Sequence, residues 1–213
     1  MPHALWPVDP SVILPFLVAV SLIELTPGPN MGWLALVAAG RGRTAGLAAV
    51  VGITLGLAVW MLASAFGLTR VLLVWPLAFQ VMRWAGVAFL LWLAWDAWRG
   101  GGAGADRTDD GGTRQALFLR GLTGNLLNPK AAVFYVALLP TFIRPDHGPA
   151  LTQALILGTL HLAVAVIVHA SIVMGAARVA GMVGGQARGG RARGAMALGV
   201  AAVAVWMAWE TRG

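Results

Sequence analysis

The sequence contains no cysteine, and only 11% of its residues are charged. The missing cysteines exclude disulfides, thiol catalysis and thiolate metal sites. Soluble domains carry about 25% charged residues, whereas this chain of 213 residues is 59% hydrophobic and has a mean hydropathy of +0.78. Since apolar segments cross a bilayer as helices, composition predicts an all-α integral membrane protein with a single transmembrane domain over residues 1–213.

Six apolar runs are long enough to cross a bilayer, for which about 20 residues are needed. They cover residues 11–39, 44–67, 73–98, 117–140, 150–175 and 195–210. The segment 99–116 is rich in Gly and Asp and is predicted to be a cytoplasmic loop. Residues 1–9 lack the Lys and Arg of a signal peptide, so the first run is expected to be retained. The last run is the shortest, which leaves a five-helix alternative open.

The basic residues are unevenly distributed among the connections. Of 14 arginines and one lysine, ten arginines flank the first, third and fifth connections. These are Arg41, Arg43, Arg99, Arg107, Arg114, Arg120, Arg178, Arg188, Arg191 and Arg193. The positive-inside rule places these connections in the cytoplasm and both termini on the opposite side. A basic groove for nucleic acid is not predicted, because the charge follows the connections.

The two halves of the chain share three features in the same order. Each first span carries a proline break, and each second span carries Thr-Leu-x-Leu-Ala-Val, at 54–59 and at 159–164. Each third span ends in Trp-x-Ala-Trp and an acidic residue. Because each half has three spans, the second half inserts upside down relative to the first. The pattern predicts two inverted three-helix repeats, over 11–98 and 117–210, with Pro-broken first helices.

The two breaks are the predicted binding site. Prolines remove backbone donors and clash with the preceding turn, and freed backbone groups in hydrocarbon are tolerated only beside protein or a water-filled cavity. Each half-helix restarts at a proline, and its free N–H groups and positive dipole end suit a carboxylate. A simple packing kink is the alternative. The predicted site residues are Glu24, Thr26, Pro27, Gly28, Pro29, Asn30, Asn125, Asn128, Pro129 and Lys130.

Two charged residues lie beside the breaks within the apolar runs. Charges inside the membrane are costly and usually functional. Glu24 is predicted to bind a substrate ammonium group or to exchange a proton, and Lys130 to hold a carboxylate. In the structural alternative, the two residues neutralise each other or Lys130 extends to the membrane surface.

Two histidines, His161 and His169, lie eight residues apart in the fifth span and therefore on roughly one helix face. They either line a pathway and relay protons or are hydrogen-bonded interior residues. Neither a phosphate-binding loop nor a catalytic motif occurs in a usable context, so the sequence predicts no cofactor and no enzyme.

Four stretches carry a family resemblance. They are Leu25-Thr-Pro-Gly-Pro-Asn-Met31, Gly40-Arg-Gly-Arg-Thr-Ala-Gly46, the segment from Gly121 to Ala131 with Asn125-Leu-Leu-Asn-Pro-Lys130, and Leu139-Pro-Thr-Phe142. They resemble the LysE/RhtB (lysine exporter, homoserine and threonine resistance) family of bacterial amino-acid translocators. The family's Pro-Gly-Pro-Asn corresponds to residues 27–30 of this chain, and its Asn-Pro-Lys to residues 128–130.

The resemblance implies a secondary transporter that exports amino acids or related small metabolites across the bacterial inner membrane. It further implies a proton gradient as driving force and a homo-oligomeric assembly. In the inner membrane, the orientation predicted by the positive-inside rule puts both termini in the periplasm. The residues alone leave open a cation or metal exporter and a narrow channel, although one Glu and two His form a sparse ligand set for a metal.

Overall fold

The computed structural model describes residues 6–26, 28–67, 74–98 and 110–182, together with 198, 199, 201, 202, 205 and 209. Every regular element among these residues is helical, which confirms the all-α class. The helices are α1 (Pro10–Leu25), α2 (Pro29–Arg41), α3 (Arg43–Ala65), α4 (Pro76–Trp98), α5 (Asp110–Leu126), α6 (Pro129–Val133) and α7 (Ala150–Met182). A π-helical turn, Phe134–Leu138, and a 3₁₀ turn, Leu139–Phe142, continue α6.

The chain is a multi-pass membrane protein. In its described part, α3, α4 and α7 are each long and apolar enough to cross a bilayer. Helices α1 and α2 are bent by 57° and add a fourth span if they form one broken helix. Most of the predicted span 195–210 lies outside the described residues, so the six-helix inverted repeat stays a prediction.

Helix α5 begins at Asp110, inside the segment 99–116 for which the sequence predicted a loop. A helix satisfies its backbone hydrogen bonds internally, so it can extend from the membrane into water beyond its apolar residues. Hydropathy marks the apolar part of such a helix and misses its polar extension. The rest of the predicted loop, residues 99–109, lies outside the described residues.

Both predicted breaks are confirmed as helix ends. Helix α1 ends at Leu25 and α2 restarts at Pro29, while α5 ends at Leu126 and α6 restarts at Pro129. Proline at the first helical position has no N–H to leave unpaired, and its φ angle already suits a helix. The interruptions therefore follow from the sequence at both places.

Helix α1 has a buried and an exposed stripe, each at a spacing of four residues. The buried stripe comprises Val12, Phe16, Val20 and Glu24. The exposed stripe comprises Leu14, Val18 and Leu22. Side chains four apart lie on one helix face, so the face that presents leucines to lipid leaves Glu24 pointing into the protein.

Helices α3 and α5 approach each other at glycines. A Cβ on Gly52 would collide with the carbonyl oxygen of Phe118, and a Cβ on Gly121 would lie 2.5 Å from the carbonyl oxygen of Ala49. Small residues allow membrane helices to pack backbone against backbone. This contact packs the backbone of α3 against that of α5 and positions the second break beside α3.

Two apolar clusters lie on either side of a polar layer. The first joins α2, α3, α4, Leu117 of α5 and Val173 of α7. The second joins α1, Leu57 of α3, α6 with the two turns that continue it, and Ala154, Leu157 and Ala165 of α7. His169 lies between Val173 and Ala165 along α7, at the junction of the clusters. Both helix breaks also meet at this junction, so the fold brings the polar side chains together between two apolar layers.

Candidate functional site

Glu24 is held by the two histidines of α7. Its Oε1 lies 3.0 Å from Nε2 of His161, and its Oε2 lies 3.3 Å from Nε2 of His169. All three residues are buried. A buried carboxylate requires compensating partners, and the stripe of α7 at a spacing of four residues supplies both. The predicted shared face of His161 and His169 is confirmed.

Tyr135 extends this cluster from the π-helical turn after the second break. Its hydroxyl lies 3.0 Å from Nδ1 of His161. The carbonyl oxygen of Tyr135 accepts a hydrogen bond of 2.7 Å from the hydroxyl of Ser64 on α3. π-Helical turns interrupt the regular bonding of a helix and occur often at functional sites. Here the turn places the tyrosine ring beside His161.

Lys130 does not form a direct ion pair with Glu24. Its Nζ donates a hydrogen bond of 2.9 Å to the carbonyl oxygen of Thr26, next to the end of α1. Carbonyls at a helix C-terminus lack intrahelical donors and carry negative partial charge, which suits a cation. Gly28 is close to the same ammonium group, since a Cβ on it would lie 3.6 Å from Nζ. Lys130 therefore links the two breaks.

A second link joins the breaks through amide side chains. Nδ2 of Asn30 donates to Oδ1 of Asn125 over 2.8 Å. The backbone carbonyl of Asn125 accepts a bond of 3.3 Å from Nε1 of Trp60 on α3. No described residue is a partner for Nδ2 of Asn125, which is buried. The break between α5 and α6 thus leaves polar groups, and the neighbouring helices provide hydrogen-bond partners for some of them.

The N-termini of the two half-helices differ. Oδ1 of Asn128 accepts a bond of 3.0 Å from the backbone N–H of Lys130 and so caps α6. Gly28 precedes α2, and no side chain among the described residues caps that helix. The first N–H groups of α2, beginning with that of Asn30, have no acceptor within the helix. Of the two predicted anion-binding ends, α2 is the more open.

A cavity of about 20 Å³ lies at the centre of these groups. Six of the predicted site residues line it: Glu24, Gly28, Asn30, Asn125, Asn128 and Lys130. This volume accommodates about one water molecule, so in this conformation the site is closed around its polar groups. An amino acid requires the surrounding helices to separate.

Of the other predicted site residues, Thr26 and Pro129 do not line the cavity, and the side chains of Pro27 and Pro29 lie outside the described part of the structure. Thr26 is exposed and contributes its carbonyl oxygen, and Pro129 is buried at the start of α6. Pro27 lies outside the described residues. For Pro29, the structure describes only the backbone of α2. No three His, Asp or Glu side chains within the described ranges are arranged to hold a metal ion.

Sequence reasoning omitted three residues from the predicted site. His161 and His169 were recognised as a pair, and their spacing was the signal that they share a face. The sequence carries no signal for a role of Tyr135, because this residue lies in the apolar run that follows the second break. Its contact with His161 depends on the π-helical turn.

Broken helices that meet at buried charges are typical of membrane transporters. The profile described as "LysE type translocator" matches residues 21–210. The chain belongs to this family, as its motifs predicted.

Several curated proteins are similar to the chain. The homoserine/homoserine lactone efflux protein of Salmonella typhimurium (strain LT2) is 33% identical over 171 residues, which cover 80% of this chain and 82% of the relative. The leucine efflux protein of Enterobacter sp. (strain 638) is 32% identical over 149 residues, 68% of this chain and 69% of the relative. An uncharacterized membrane protein of Vibrio cholerae is 34% identical, covering 70% of this chain and 73% of the relative. No solved structure matches the chain.

Proposed function

We propose that this protein exports amino acids or related small metabolites across the bacterial inner membrane and that the proton gradient drives the export. One observation carries the proposal: a buried carboxylate, Glu24, and an ammonium group, Lys130, line the same cavity between two broken helices. Opposite charges around one cavity match the two charges of an amino acid. Efflux of homoserine and of leucine by relatives supports the same substrate class.

The carboxylate of the substrate binds at the start of α2. The N–H of Asn30 and the positive end of the helix dipole favour an anion there. Lys130 is within reach, because its Nζ already contacts the carbonyl of Thr26 beside this helix start. The alternative that Lys130 merely extends to the membrane surface has less support, since its ammonium group faces the cavity.

The ammonium group of the substrate binds Glu24. Its carboxylate contacts both histidines in this closed conformation, and separation of the helices would let a substrate cation take one of those positions. Rocking of one three-helix unit against the other would open the cavity to each side in turn. This is the alternating access that an exporter requires.

The contacts between the halves support the inverted repeat. The second helix of the first half, α3, packs Gly56 and Trp60 against Asn125 at the second break. The second helix of the other half, α7, packs its histidines against Glu24 at the first break. Each half thus covers the break of the other, as a two-fold relation requires. Six spans, periplasmic termini and a homo-oligomer belong to this proposal.

Efflux from proteoliposomes tests the proposal. Vesicles containing the purified protein are loaded with labelled leucine, homoserine or other amino acids, and release is measured with and without a pH gradient. We expect saturable release that the gradient accelerates, and none from protein-free vesicles. Non-saturable flux would indicate the channel alternative, and movement of divalent cations alone would indicate the metal exporter.

A further inference from the structure

We propose that His169 takes up the coupling proton at its Nδ1 atom, whereas His161 stays neutral and positions Glu24. The inference rests on the proposed proton-driven export and names the residue that carries the proton. Its basis is the difference between the hydrogen bonds of the two histidines that contact the same carboxylate.

Both ring nitrogens of His161 are occupied. Nδ1 lies 3.0 Å from the hydroxyl of Tyr135, and Nε2 lies 3.0 Å from Glu24. Within the described chain, Nδ1 is the hydroxyl's one acceptor, so the hydroxyl donates to Nδ1 and Nε2–H donates to the carboxylate. A proton added to Nδ1 would leave the buried Tyr135 hydroxyl without an acceptor, which is unfavourable. The tautomer of His161 is thereby set.

His169 has one nitrogen available. Its Nε2 lies 3.3 Å from Glu24, and its Nδ1 has no hydrogen-bond partner among the residues that the structure describes. When Nε2 carries the hydrogen and donates to the carboxylate, Nδ1 keeps a free lone pair. A proton on Nδ1 produces an imidazolium beside the carboxylate that stabilises it. His169 also lines the cavity, but its Nδ1 atom is buried in this conformation, so a water molecule delivers the proton and accepts the new N–H only when the helices separate.

The charged surroundings of His169 are few. Burial of the ring disfavours a proton on His169 most strongly, Glu24 of α1 favours it, and Lys130 at the start of α6 opposes it. His161 and Tyr135 are neutral on the hydrogen-bond argument above. Asn30, Met31 and Leu57, which α2 and α3 contribute to the cavity wall, carry no titratable group. Among these described groups, Glu24 is therefore the one that favours the proton on His169.

The position of His169 gives the proton a direction. It lies eight residues after His161, about 12 Å further along α7, toward the end that carries Arg178 and is predicted to be cytoplasmic. A hydronium ion entering from the periplasm transfers its proton to Nδ1, where an N–H bond forms as an O–H bond breaks. On the cytoplasmic side the N–H bond breaks and water takes the proton.

Competition for Glu24 couples the proton to the substrate. The imidazolium of His169 and the ammonium group of an amino acid each place a positive charge beside the same carboxylate. Like charges at this distance repel, so binding of one favours release of the other. That exclusion is what an exchange of protons for substrate requires.

The test compares two fluxes in proteoliposomes with homoserine and leucine as probes. One is gradient-free exchange of labelled for unlabelled substrate, which needs binding and alternating access only. The other is release driven by a pH gradient. His169→Gln keeps a donor near the position of Nε2 but removes Nδ1. We expect its release to lose the acceleration by the gradient while exchange continues, so the ratio of driven to exchange flux falls. A ratio equal to that of the unaltered protein would overturn the proposal.

Two further variants define the comparison. His161→Gln should lower both fluxes together and keep their ratio, because His161 positions Glu24. His147→Asn changes a histidine of the loop before α7, outside the cluster, and should leave both fluxes unchanged. If the unaltered protein shows exchange but the gradient does not accelerate release, the proposed proton coupling is wrong. If neither homoserine, leucine nor any other amino acid used in the efflux test is exchanged, the amino-acid exporter itself is wrong, and both results overturn the role of His169.

A measurement on the unaltered protein does not depend on how the variants fold. Homoserine is added to purified protein in weakly buffered detergent solution, and released protons are detected with a pH indicator between about pH 5 and pH 8, where histidine titrates. We expect release on binding, and its loss in His169→Gln. Homoserine binding without proton release across this range would overturn the proposal.

Discussion

At the residue scale, the site depends on how a carboxylate is accommodated inside a membrane protein. A charge at the bilayer centre is expensive, and Glu24 meets this cost with two imidazole groups from α7 rather than with Lys130. The ammonium group of Lys130 instead donates a hydrogen bond to the carbonyl oxygen of Thr26. Both charges therefore have weaker partners than they would have in a direct ion pair, which leaves them available to a substrate.

The first prediction concerns Glu24. Glu24→Gln preserves the size of the side chain and removes its charge, so the apparent affinity for homoserine and leucine should fall about 10- to 100-fold, the equivalent of about 1.5–3 kcal/mol for a charged hydrogen bond. The concentration dependence of gradient-free exchange measures this. Asp146→Asn makes the same chemical change on an exposed loop and should have no effect. Equal affinities in both variants would remove Glu24 from the site.

The second prediction separates the two ends of the substrate. Lys130→Gln should lower the affinity for homoserine by about tenfold or more. The affinity for homoserine lactone should be nearly unchanged, because the lactone keeps the ammonium group but has no carboxylate. Competition of each compound with labelled leucine during exchange provides the measurement. An equal loss of affinity for both compounds would show that Lys130 does not bind the carboxylate.

At the scale of helices, the contact between α3 and α5 positions the second break. Gly52 and Gly121 bring the two backbones together, and Gly56 then lies against Asn125. Because Trp60 lies one turn further along α3, it reaches the carbonyl of the same asparagine. A helix pair packed in this way carries the break at Asn125 as a rigid feature of the fold.

The third prediction tests this contact. Gly52→Ala places a Cβ against the backbone of α5, where no flexible side chain can move aside, so it should lower stability by about 1–3 kcal/mol or more. Gly175→Ala on α7 meets open space and should be neutral or slightly stabilising, since alanine favours helix. Thermal unfolding of the two purified variants makes the comparison, and similar unfolding temperatures would contradict the prediction.

At the scale of the whole molecule, the charged residues predict the path of the chain through the bilayer. The unequal distribution of arginine predicts the orientation, and the absence of cysteine makes that orientation directly measurable. Single cysteines introduced on exposed residues can be labelled without a background from native thiols.

The fourth prediction is the labelling pattern of three single-cysteine variants, two at the exposed residues Asp146 and Thr44 and one at residue 213. With a membrane-impermeant maleimide, Asp146→Cys should react in intact cells, whereas Thr44→Cys should react only after lysis. Under the six-helix prediction Gly213→Cys should react in intact cells as well. Labelling of residue 213 only after lysis would establish the five-helix alternative, and reversal of the first two would overturn the orientation.

The sequence by itself determined where the helices break and which elements carry charge. Proline lacks an N–H and restricts its own backbone, so Pro29 and Pro129 favour the first position of a helix, where both lie. Likewise, the spacing of eight residues predicted that His161 and His169 share a face, because helical geometry is local.

Only the tertiary structure decided which groups meet. Glu24 and His161 are 137 positions apart in the chain, and their contact depends on the rotation of α1 and α7 about their axes. Helix packing sets these rotations through many apolar contacts at once, and no single residue encodes them. For the same reason the structure, and not the sequence, pairs Glu24 with histidines, places Lys130 on the carbonyl of Thr26 and brings Tyr135 to the site.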